Sequence, residues 1–365
     1  MSESIAVRPL RFGEAMGHDQ VPSNRNPKFT LGSIAGRYVL ICVAFDLADP
    51  ATSAALTALA ATPFDESRRF AALFCADAAM DRDPLVRALG ETCLIVPDPK
   101  REAIRKLGLA DEGQTPKGRW LLLDPTLRVL GAWPHEQASK ALALFNAAPE
   151  PAAHAGVPLH APVLIAPRVF EPGFCQQLIA YYETRGGRPS GTTHENQHGK
   201  TYVALNQSFK RRTDCDIEDA SLREAAMQRI YWRLAPEIER AFAFKSTRME
   251  RYIVACYDSE SGGFFKPHRD NTTKGTAHRR FAVTINLNAD EYEGGDLRFP
   301  EFGPRTYRAP TGGAVVFSCS LLHEATPVTK GKRYAFLPFL YDEAAAQVRA
   351  ANNQFLDESV GAYRG

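Results

Sequence analysis

The first 147 residues alternate between short apolar runs and amphipathic segments. Residues 37–45 and 70–75 are apolar at almost every position, which is typical of strands buried on both faces of a sheet. Asp49-Pro50 marks the start of a helix between these two runs. Strands separated by helices predict an α/β sheet covered by helices. The predicted strands are 29–31, 37–45, 70–75, 93–96, 119–123 and 128–132, and the predicted helices are 51–61, 84–89, 102–107 and 137–146.

The pattern changes after residue 147. The next ten residues are rich in Ala and Pro and have no periodicity, as expected of a semi-rigid linker. We therefore predict one domain over 1–147, a linker over 148–160 and a second domain over 161–365. Three helices are predicted in the second domain, at 172–184, 222–242 and 343–355.

Short strands with turn signals between them dominate the second domain. This pattern predicts a jelly roll with helices packed on it, so the chain as a whole reads as a two-domain α+β protein. The core of the jelly roll is expected over 246–342. Its predicted strands are 249–257, 266–270, 280–287, 296–299, 306–308, 313–318, 324–328 and 333–341.

Two polar segments of the second domain are expected at the surface. Residues 190–200, SGTTHENQHGK, read as a mobile loop that is a candidate lid over a site. The basic run Lys210-Arg211-Arg212 is followed at once by acidic residues, which favours a solvated turn over a phosphate-binding patch.

Composition narrows the functional classes. A chain of 365 residues, 44% hydrophobic and 24% charged, is long enough for two globular domains. A net charge of +2 indicates neither a nucleic acid nor a membrane partner. The seven cysteines have no CxxC spacing, and no long apolar run suggests export or membrane insertion, so we expect a cytoplasmic protein. Its oligomeric state stays open.

Four residues distant in sequence suggest metal chemistry. His268 and Asp270 are two apart, so in an extended strand both side chains project from one face. His323 ends an apolar run about fifty residues later, and Arg333 opens the next one. Two histidines and one carboxylate form the ligand set of non-haem Fe(II) oxygenases, and a buried Arg can grip a carboxylate of a dicarboxylic acid. Each piece alone is a weak signal, but the ordered set is hard to assemble by chance.

Residues 251–341 resemble the catalytic core of the 2-oxoglutarate- and Fe(II)-dependent dioxygenases, specifically the prolyl-4-hydroxylase branch. The matching words are RYIVACYDSESGGFFKPHRDN, FAVTINLNADEYEGGDLRF, GGAVVFSCSLLHEATPV and GKRYAFLPFLY. The resemblance implies a double-stranded β-helix with Fe(II) on His268, Asp270 and His323. It also implies that Arg333 pairs with the distal carboxylate of 2-oxoglutarate, with the Tyr257 hydroxyl near this co-substrate.

The co-substrate pocket gains one further candidate from strand alternation. Asn286 faces inward if Thr284 does, so its amide would line the pocket. The resemblance implies a hydroxylase of an amino-acid side chain, peptidyl or free, and prolyl only through the family. Such an enzyme uses 2-oxoglutarate and O2, releases succinate and CO2, and is expected to use L-ascorbate as reductant.

Residues 29–145 resemble the peroxiredoxins and the wider thioredoxin-like family. The cues are the strand beginning near Gly36, the block VPDPKREAIRKLGL and the hairpin WLLLDPTLRVLGAW. Peroxiredoxins carry a nucleophilic Cys in the first turn of the helix after the first long strand. Here that turn reads DPATSAAL, without a Cys, so we expect a redoxin-like fold without peroxidase chemistry. A thiol peroxidase or partner-binding role for this domain, and a catalytically silent jelly roll, are the alternatives.

Overall fold

The computed structural model describes residues 8–63, 65–110, 116–196, 198–358 and 360. The chain divides into two compact units. The first comprises Met1–His160 with Pro300–Pro304, and the second comprises Ala161–Phe299 with Arg305–Gly365. In the described part of the chain, no helix combines the length and the apolar character that crossing a membrane requires.

The first unit is built on a five-stranded mixed sheet in the order β5-β4-β3-β6-β7. Strands β3, β4 and β5 run parallel, and β6 and β7 add an antiparallel hairpin at the other side. This is a thioredoxin-like α/β fold, as the sequence predicts. Its strands are β1 (Gln20–Val21), β2 (Phe29–Thr30), β3 (Tyr38–Ala44), β4 (Arg69–Cys75), β5 (Leu94–Pro97), β6 (Arg119–Leu123) and β7 (Val129–Pro134), and its helices are α1 (Pro50–Ala60), α2 (Pro84–Leu89), α3 (Glu102–Lys106) and α4 (Ala138–Ala147).

The second unit contains a nine-stranded and a five-stranded antiparallel sheet. The larger sheet includes β15, β17 and β24, and the smaller has the order β12-β16-β22-β19-β20. The first strands of this unit are β8 (Leu164–Ala166), β9 (Arg188–Pro189), β10 (Thr192–Glu195), β11 (Thr201–Ala204), β12 (Lys210–Arg211), β13 (Thr213–Asp216), β14 (Arg248–Glu250), β15 (Ile253–Asp258) and β16 (Phe264–His268). They are followed by β17 (Phe281–Asn286), β18 (Glu293–Gly294), β19 (Leu297–Arg298), β20 (Thr306–Tyr307), β21 (Ala314–Ser318), β22 (His323–Ala325), β23 (Val328–Lys330), β24 (Lys332–Phe336) and β25 (Phe339–Tyr341).

The larger sheet has a helix-covered face and an inner face. Helices α5 (Pro172–Arg185), α6 (Ala220–Arg233) and α7 (Ala235–Phe242) pack on one side, and α8 (Glu343–Asn352) follows the last strand. On β24, Tyr334 and Phe336 pack in the core beneath the helices. Arg333, the residue before Tyr334, lines a cavity on the opposite face. On β15, Cys256 and Tyr257 divide in the same way. The period of two thus sends polar side chains into a jelly-roll interior.

The predicted long helix over 222–242 is wrong, because the structure has two helices, α6 and α7, separated at Leu234. Pro236 lies in the first turn of α7. A proline inside a continuous helix has no N–H to donate one turn back, and its ring clashes with that turn. The apolar stripe continues across the break, since Ile230, Leu234 and Ile238 all lie in the same core.

Several predicted strands are also shorter or divided. The predicted strand 249–257 splits into β14 and β15 around Arg251, whose φ of 66° interrupts the extended backbone. The predicted strand 333–341 splits into β24 and β25 just before and after Leu337-Pro338. A proline cannot donate to a strand ladder, so it favours such an interruption.

The prediction that residues 190–200 form a loop without secondary structure is wrong. Strands β10 and β11 form an antiparallel hairpin across it, with Thr192 opposite Ala204 and Glu195 opposite Thr201. Alternating Thr, His and Glu residues hid this hairpin, because none of them supplies the apolar face that marks a strand. Gln197 lies outside the described residues, and the role of the segment as a lid stays a prediction.

Candidate metal centre and adjoining cavity

An open cavity of about 480 Å³, including its solvent-filled mouth, lies inside the second unit. Residues from both sheets line it. The smaller sheet contributes His268, His323 and Phe265, and the larger sheet contributes Tyr257 and Arg333. Four of the residues that the sequence selected for chemistry, together with Asp270, therefore meet in one place.

The two histidines face each other across neighbouring strands. His268 ends β16 and is the register partner of His323, which begins β22. Asp270 lies just beyond the end of β16, where its backbone N–H donates to the carbonyl of Cys319 at 3.0 Å. The Asp270 carboxylate oxygens lie 3.5 Å from His268 Nε2 and 3.3 Å from His323 Nε2. All three potential ligand atoms lie within 4.8 Å of one another.

The ring tautomers follow from backbone contacts. His268 Nδ1 lies 2.8 Å from the carbonyl of Lys266, and His323 Nδ1 lies 3.0 Å from the carbonyl of Leu321. A carbonyl only accepts, so each Nδ1 carries the proton and donates it. Each Nε2 then keeps a free lone pair on the side of Asp270. Hydrogen bonds from Nδ1 to a carbonyl orient metal-binding imidazoles in this way.

The charges of the cluster also suit a divalent cation. Burial, and then the neighbouring His323, lower the pKa of His268 to about 4, so its ring is neutral at physiological pH. Burial opposes the charge of Asp270, but the two imidazoles outweigh it and hold the pKa of this carboxyl well below its usual range. Two imidazoles and one carboxylate fit a non-haem Fe(II) site and leave coordination positions for other ligands.

Arg333 presents an unfilled hydrogen-bonding surface beside this cluster. It lies on β24 opposite Tyr257 on β15, and its guanidinium carbon stands 4.9 Å from the centre of the Tyr257 ring. The residue is only 2% exposed, yet its Nε and Nη1 have no hydrogen-bond partner. Buried donors of a cation are almost always paired. The geometry fits a carboxylate of a bound acid at this point.

Gly295 creates the space that Arg333 occupies. Its φ is +67°, and a Cβ built on it would lie 3.0 Å from Arg333 Cδ and 2.7 Å from Val328 Cγ2. A side chain here would therefore clash with the core and force Arg333 to move. The Gly294-Gly295 pair in the sequence is thus tied directly to the position of the guanidinium.

A narrow recess next to the main cavity holds further unsatisfied polar groups. Arg333, Asn286 and Tyr292 all line it, and Thr284 lines it as well. Asn286 Nδ2 donates to the carbonyl of Ala309 at 2.8 Å, whereas its Oδ1 has no partner. The Tyr292 hydroxyl is also buried without a partner. Sequence reasoning missed Tyr292, because it lies in the polar turn EYEGG rather than in a periodic strand.

The basic run at 210–212 is not a solvated turn, so that prediction is wrong. Lys210 and Arg212 are 5% and 8% exposed. The Lys210 ammonium donates to Ser190 Oγ and the carbonyl of Gly191, and Arg212 lines the main cavity. The residues lie on and beside β12, which pairs with β16, and alternation turns only Arg211 outward.

Arg212 is locked in place by a buried acid. Its Nε and Nη2 donate to the two carboxylate oxygens of Asp214, both at 2.7 Å, and its Nη1 lies 3.3 Å from the Tyr257 hydroxyl. Burial disfavours the charge on Arg212, but Asp214 and Tyr257 raise its pKa above the usual value. The same pairing lowers the pKa of Asp214 against the effect of burial. The wall of the cavity therefore carries permanent charges.

Part of this chain is similar to known proteins. Residues 252–341 match the family model described as the 2OG-Fe(II) oxygenase superfamily. A PKHD-type hydroxylase of Cupriavidus metallidurans is 38% identical over 85 residues, a stretch that covers 21% of this chain and 37% of the relative. The chain thus spans well under half the length of this curated relative.

Two solved structures are each similar to part of this chain. A prolyl-4-hydroxylase of Pseudomonas putida has 17% identity and a TM-score of 0.38, over 50% of this chain and 94% of that one. The bacterioferritin comigratory protein of Xanthomonas campestris, described by its alkyl peroxide reduction activity, has 20% identity and a TM-score of 0.31, over 38% of this chain and 96% of that one.

The family match and the site occupy the same stretch of the chain. His268, Asp270, His323 and Arg333 all lie within the matched residues, and so do Tyr257, Asn286 and Tyr292. The stretch that is similar to the 2OG-Fe(II) oxygenase superfamily is therefore the stretch that contains the converging His, Asp and Arg side chains.

Proposed function

We propose that this protein is an Fe(II)- and 2-oxoglutarate-dependent hydroxylase of an amino-acid side chain, peptidyl or free, that releases succinate and CO2. One observation carries the proposal. Two histidines and a carboxylate converge within 4.8 Å, and an arginine with two unpaired buried nitrogens lies in the same cavity. A metal site alone would not need that arginine, and an anion site alone would not need the converging imidazoles.

His268, Asp270 and His323 hold the metal in this proposal. Hydrogen bonds from each Nδ1 to a backbone carbonyl fix the rings, so both Nε2 atoms are preorganised before any ion binds. The Phe265 ring stacks on His268 at a centroid distance of 3.5 Å, which further restrains that imidazole. When bound, Fe(II) with the 2-oxo acid supplies the oxygen activation that hydroxylation of a C–H bond requires.

Arg333 holds the distal carboxylate of 2-oxoglutarate. Its two unpaired nitrogens provide a charge-assisted grip, and the planar guanidinium orients the acid more strictly than an ammonium could. The Tyr292 hydroxyl can donate to the same carboxylate, since it is buried without a partner and lines the same recess. Tyr257 lines the main cavity and Asn286 lines the adjoining recess, and Arg333 lines both, so we assign both side chains to the surroundings of the co-substrate.

Apolar side chains shield the reacting centre. Phe317 packs 4.6 Å from the His323 ring, and Phe299 packs against Phe317 at 5.0 Å. Phe317 and Leu297 thus line an apolar side of the cavity, and Phe299 supports Phe317 from behind. Exclusion of water strengthens the electrostatic grip on the co-substrate and prevents reaction with solvent.

Two secondary assignments accompany the proposal. L-ascorbate is proposed as the reductant, through the resemblance to the prolyl-4-hydroxylase branch. A cytoplasmic location is proposed because all seven cysteines are buried and free, as expected for a protein kept in a reducing compartment.

Succinate release is the test of the proposed function. The metal-free protein is reconstituted with Fe(II), supplied with 2-oxoglutarate and O2, and screened against amino-acid and peptide pools. We expect succinate only when Fe(II), O2 and 2-oxoglutarate are all present, with an increase when a substrate is in the pool. Succinate formation that persists without Fe(II), or none under any condition, would contradict the proposal.

A further inference from the structure

The cavity carries more positive charge than its own carboxylates and the proposed co-substrate neutralise. Three guanidinium groups line it, from Arg212, Arg251 and Arg333. Asp214 contacts two of them, Arg212 and Arg251, whereas Asp270 contacts the two histidines. A buried cation is unfavourable unless an anion pairs with it, so a surplus in a cavity points to an anionic ligand.

The surplus belongs to Arg251. Asp214 is already engaged by Arg212 through two short hydrogen bonds, so this pair is neutral by itself. Arg251 reaches the same carboxylate only through one longer contact, from Nη2 to Asp214 Oδ2 at 3.3 Å. Its remaining charge has no acid of its own among the contacts of the cavity.

Arg251 is also held where a ligand can meet it. Its side chain is 28% exposed and lines the open cavity, and its guanidinium carbon lies 5.3 Å from the centre of the Phe339 ring. The backbone adopts a φ of 66°, a conformation that is unfavourable for a residue other than glycine. Strain of this kind persists where the surroundings require the side chain in that position.

The electrostatics agree with this geometry. Burial, followed by repulsion from Arg212, lowers the pKa of Arg251 to about 10, while Asp214 partly offsets the effect. The group is still charged at neutral pH, but its charge is unfavourably placed in the free protein. An anion bound beside it would relieve that unfavourable placement.

The charge balance that follows rests on the proposed function. Fe(II) brings two positive charges, Asp270 brings one negative charge and 2-oxoglutarate brings two. The net charge of these three groups is −1, which the positive charge of Arg333 neutralises. Arg212 and Asp214 neutralise each other. Arg251 is then the unbalanced group of the loaded site.

We propose that the substrate carries a carboxylate and that Arg251 binds it on the open side of the cavity. A free amino acid, a C-terminal residue and an acidic side chain in a peptide share this chemistry. A residue inside a peptide without a nearby acid lacks it. Arg251 is accordingly a specificity-determining residue, and the proposal narrows the substrate class of the hydroxylase.

Acetate and acetamide are the probes, because they have the same shape and differ in charge. The protein is loaded with Mn(II) in place of Fe(II) and saturated with 2-oxoglutarate, so that Arg333 is occupied. Proton line broadening by Mn(II) then reports how strongly each probe enters the cavity. We expect acetate to bind the unmodified protein roughly tenfold more tightly than acetamide, the ratio typical of a charge-assisted hydrogen bond.

Two variants separate local binding from general attraction. Arg251→Gln is expected to abolish the preference for acetate, and Arg251→Lys to retain it in weaker form. Arg211→Gln is the matched control, since Arg211 is an exposed arginine on β12 that stacks over Phe264, outside the cavity. It removes the same net charge and should leave the preference intact.

The outcomes that overturn the proposal are distinct. Equal binding of the two probes by the unmodified protein does so directly, and this comparison needs no variant to fold. A preference that survives Arg251→Gln does so as well. Loss of 2-oxoglutarate binding together with acetate binding in Arg251→Gln would place the residue in the co-substrate site instead.

Substrate pairs then distinguish the sources of the carboxylate. Succinate release is compared within three pairs of substrates. The first pair is L-proline and L-prolinamide, and the second is one proline-containing peptide with a C-terminal acid or a C-terminal amide. The third pair is a proline-containing peptide with an internal Asp or with Asn at the same position. Stimulation by the acid of any pair over its neutral partner supports the proposal and identifies the source, whereas equal stimulation by both partners in every pair opposes it. Absence of Fe(II)-dependent succinate with all of them and with the amino-acid and peptide pools refutes the proposed function, while the acetate measurement still decides the role of Arg251.

Discussion

Each unit of the protein contains a histidine whose ring is hydrogen-bonded to its surroundings, and the two sites differ in which ring nitrogens remain unused. In the thioredoxin-like unit, His135 Nδ1 lies 3.1 Å from Thr52 Oγ1 and His135 Nε2 lies 3.4 Å from Cys42 Sγ. Both ring nitrogens are therefore engaged by side chains of the same unit. In the jelly roll, His268 uses only Nδ1 for the backbone and leaves Nε2 directed toward Asp270 and His323.

The feature that distinguishes the two histidines chemically is the free ring nitrogen of His268, which His135 lacks. Burial raises the pKa of the Cys42 thiol well above its ordinary value, and it lowers the pKa of His135. A protonated thiol beside a neutral imidazole is a poor nucleophile. The contact between them therefore supports a structural role, and it disfavours peroxide chemistry at this position of the redoxin-like unit.

Replacing one metal ligand should give the largest effect. His268→Ala is expected to reduce Fe(II)-dependent succinate release by more than about 100-fold. Mutation of a residue that only hydrogen-bonds to a metal ligand already lowers metal affinity or activity by about 10- to 100-fold. His135→Ala is the contrasting variant, with the same substitution at the fully engaged histidine. The His135→Ala protein should still bind one Fe(II) per chain. Metal analysis at a temperature below the unfolding temperature of this variant measures that content.

Arg333→Lys tests the other half of the jelly-roll site. The ammonium keeps the charge but cannot use two nitrogens in one plane, so the KM for 2-oxoglutarate should rise roughly tenfold or more. Metal content should stay unchanged. An unaltered KM would mean that the unpaired nitrogens of Arg333 do not meet the co-substrate.

His135→Ala should have its main effect on stability. The substitution leaves Thr52 and Cys42 with one buried partner fewer and creates space beside the Trp120 ring, which lies 5.8 Å from the imidazole. We expect a decrease of about 1–3 kcal/mol in the free energy of unfolding, measured by denaturant titration. A change within error would show that these contacts contribute little.

The smallest effect is a dependence of stability on pH. Burial lowers the pKa of His135, so below about pH 6.5 the unfolded chain takes up a proton that the folded chain does not. The stabilising contribution of the neutral ring is therefore complete above that pH and declines as the pH falls toward the folded pKa. The difference in Tm between the unmodified protein and His135→Gln should shrink from pH 7.5 to pH 5.5, and a constant difference would contradict this.

Much of the site could be predicted from the sequence because its residues lie at the ends of apolar strands. His268, His323 and Arg333 each adjoin such a run, and strand pairing then brings them together. The alternation that predicted an inward Asn286 follows from the same geometry, and the structure places Asn286 and Thr284 in one recess. Their roles toward a co-substrate stay predictions.

Residues that are buried in or near the cavity only through long-range pairing could not be predicted in this way. Lys210 and Arg212 form a local charge run, and only the pairing of β12 with β16 shows that they are buried. Tyr292 and Arg251 stand in a turn and at a strand break, where hydrophobic periodicity carries no information. Local patterns describe which face a strand presents, but not which distant strand becomes its neighbour.

Gly295 shows that a residue without a side chain can determine what this cavity recognises. The space above its Cα is filled by Val328 and by the stem of Arg333. A single added methyl group would therefore press on Val328 and on the stem of Arg333 without replacing any side chain proposed to bind a ligand. Among natural variants of this protein, a change at position 295 would mimic damage to the active site while leaving every chemical group of that site in the sequence.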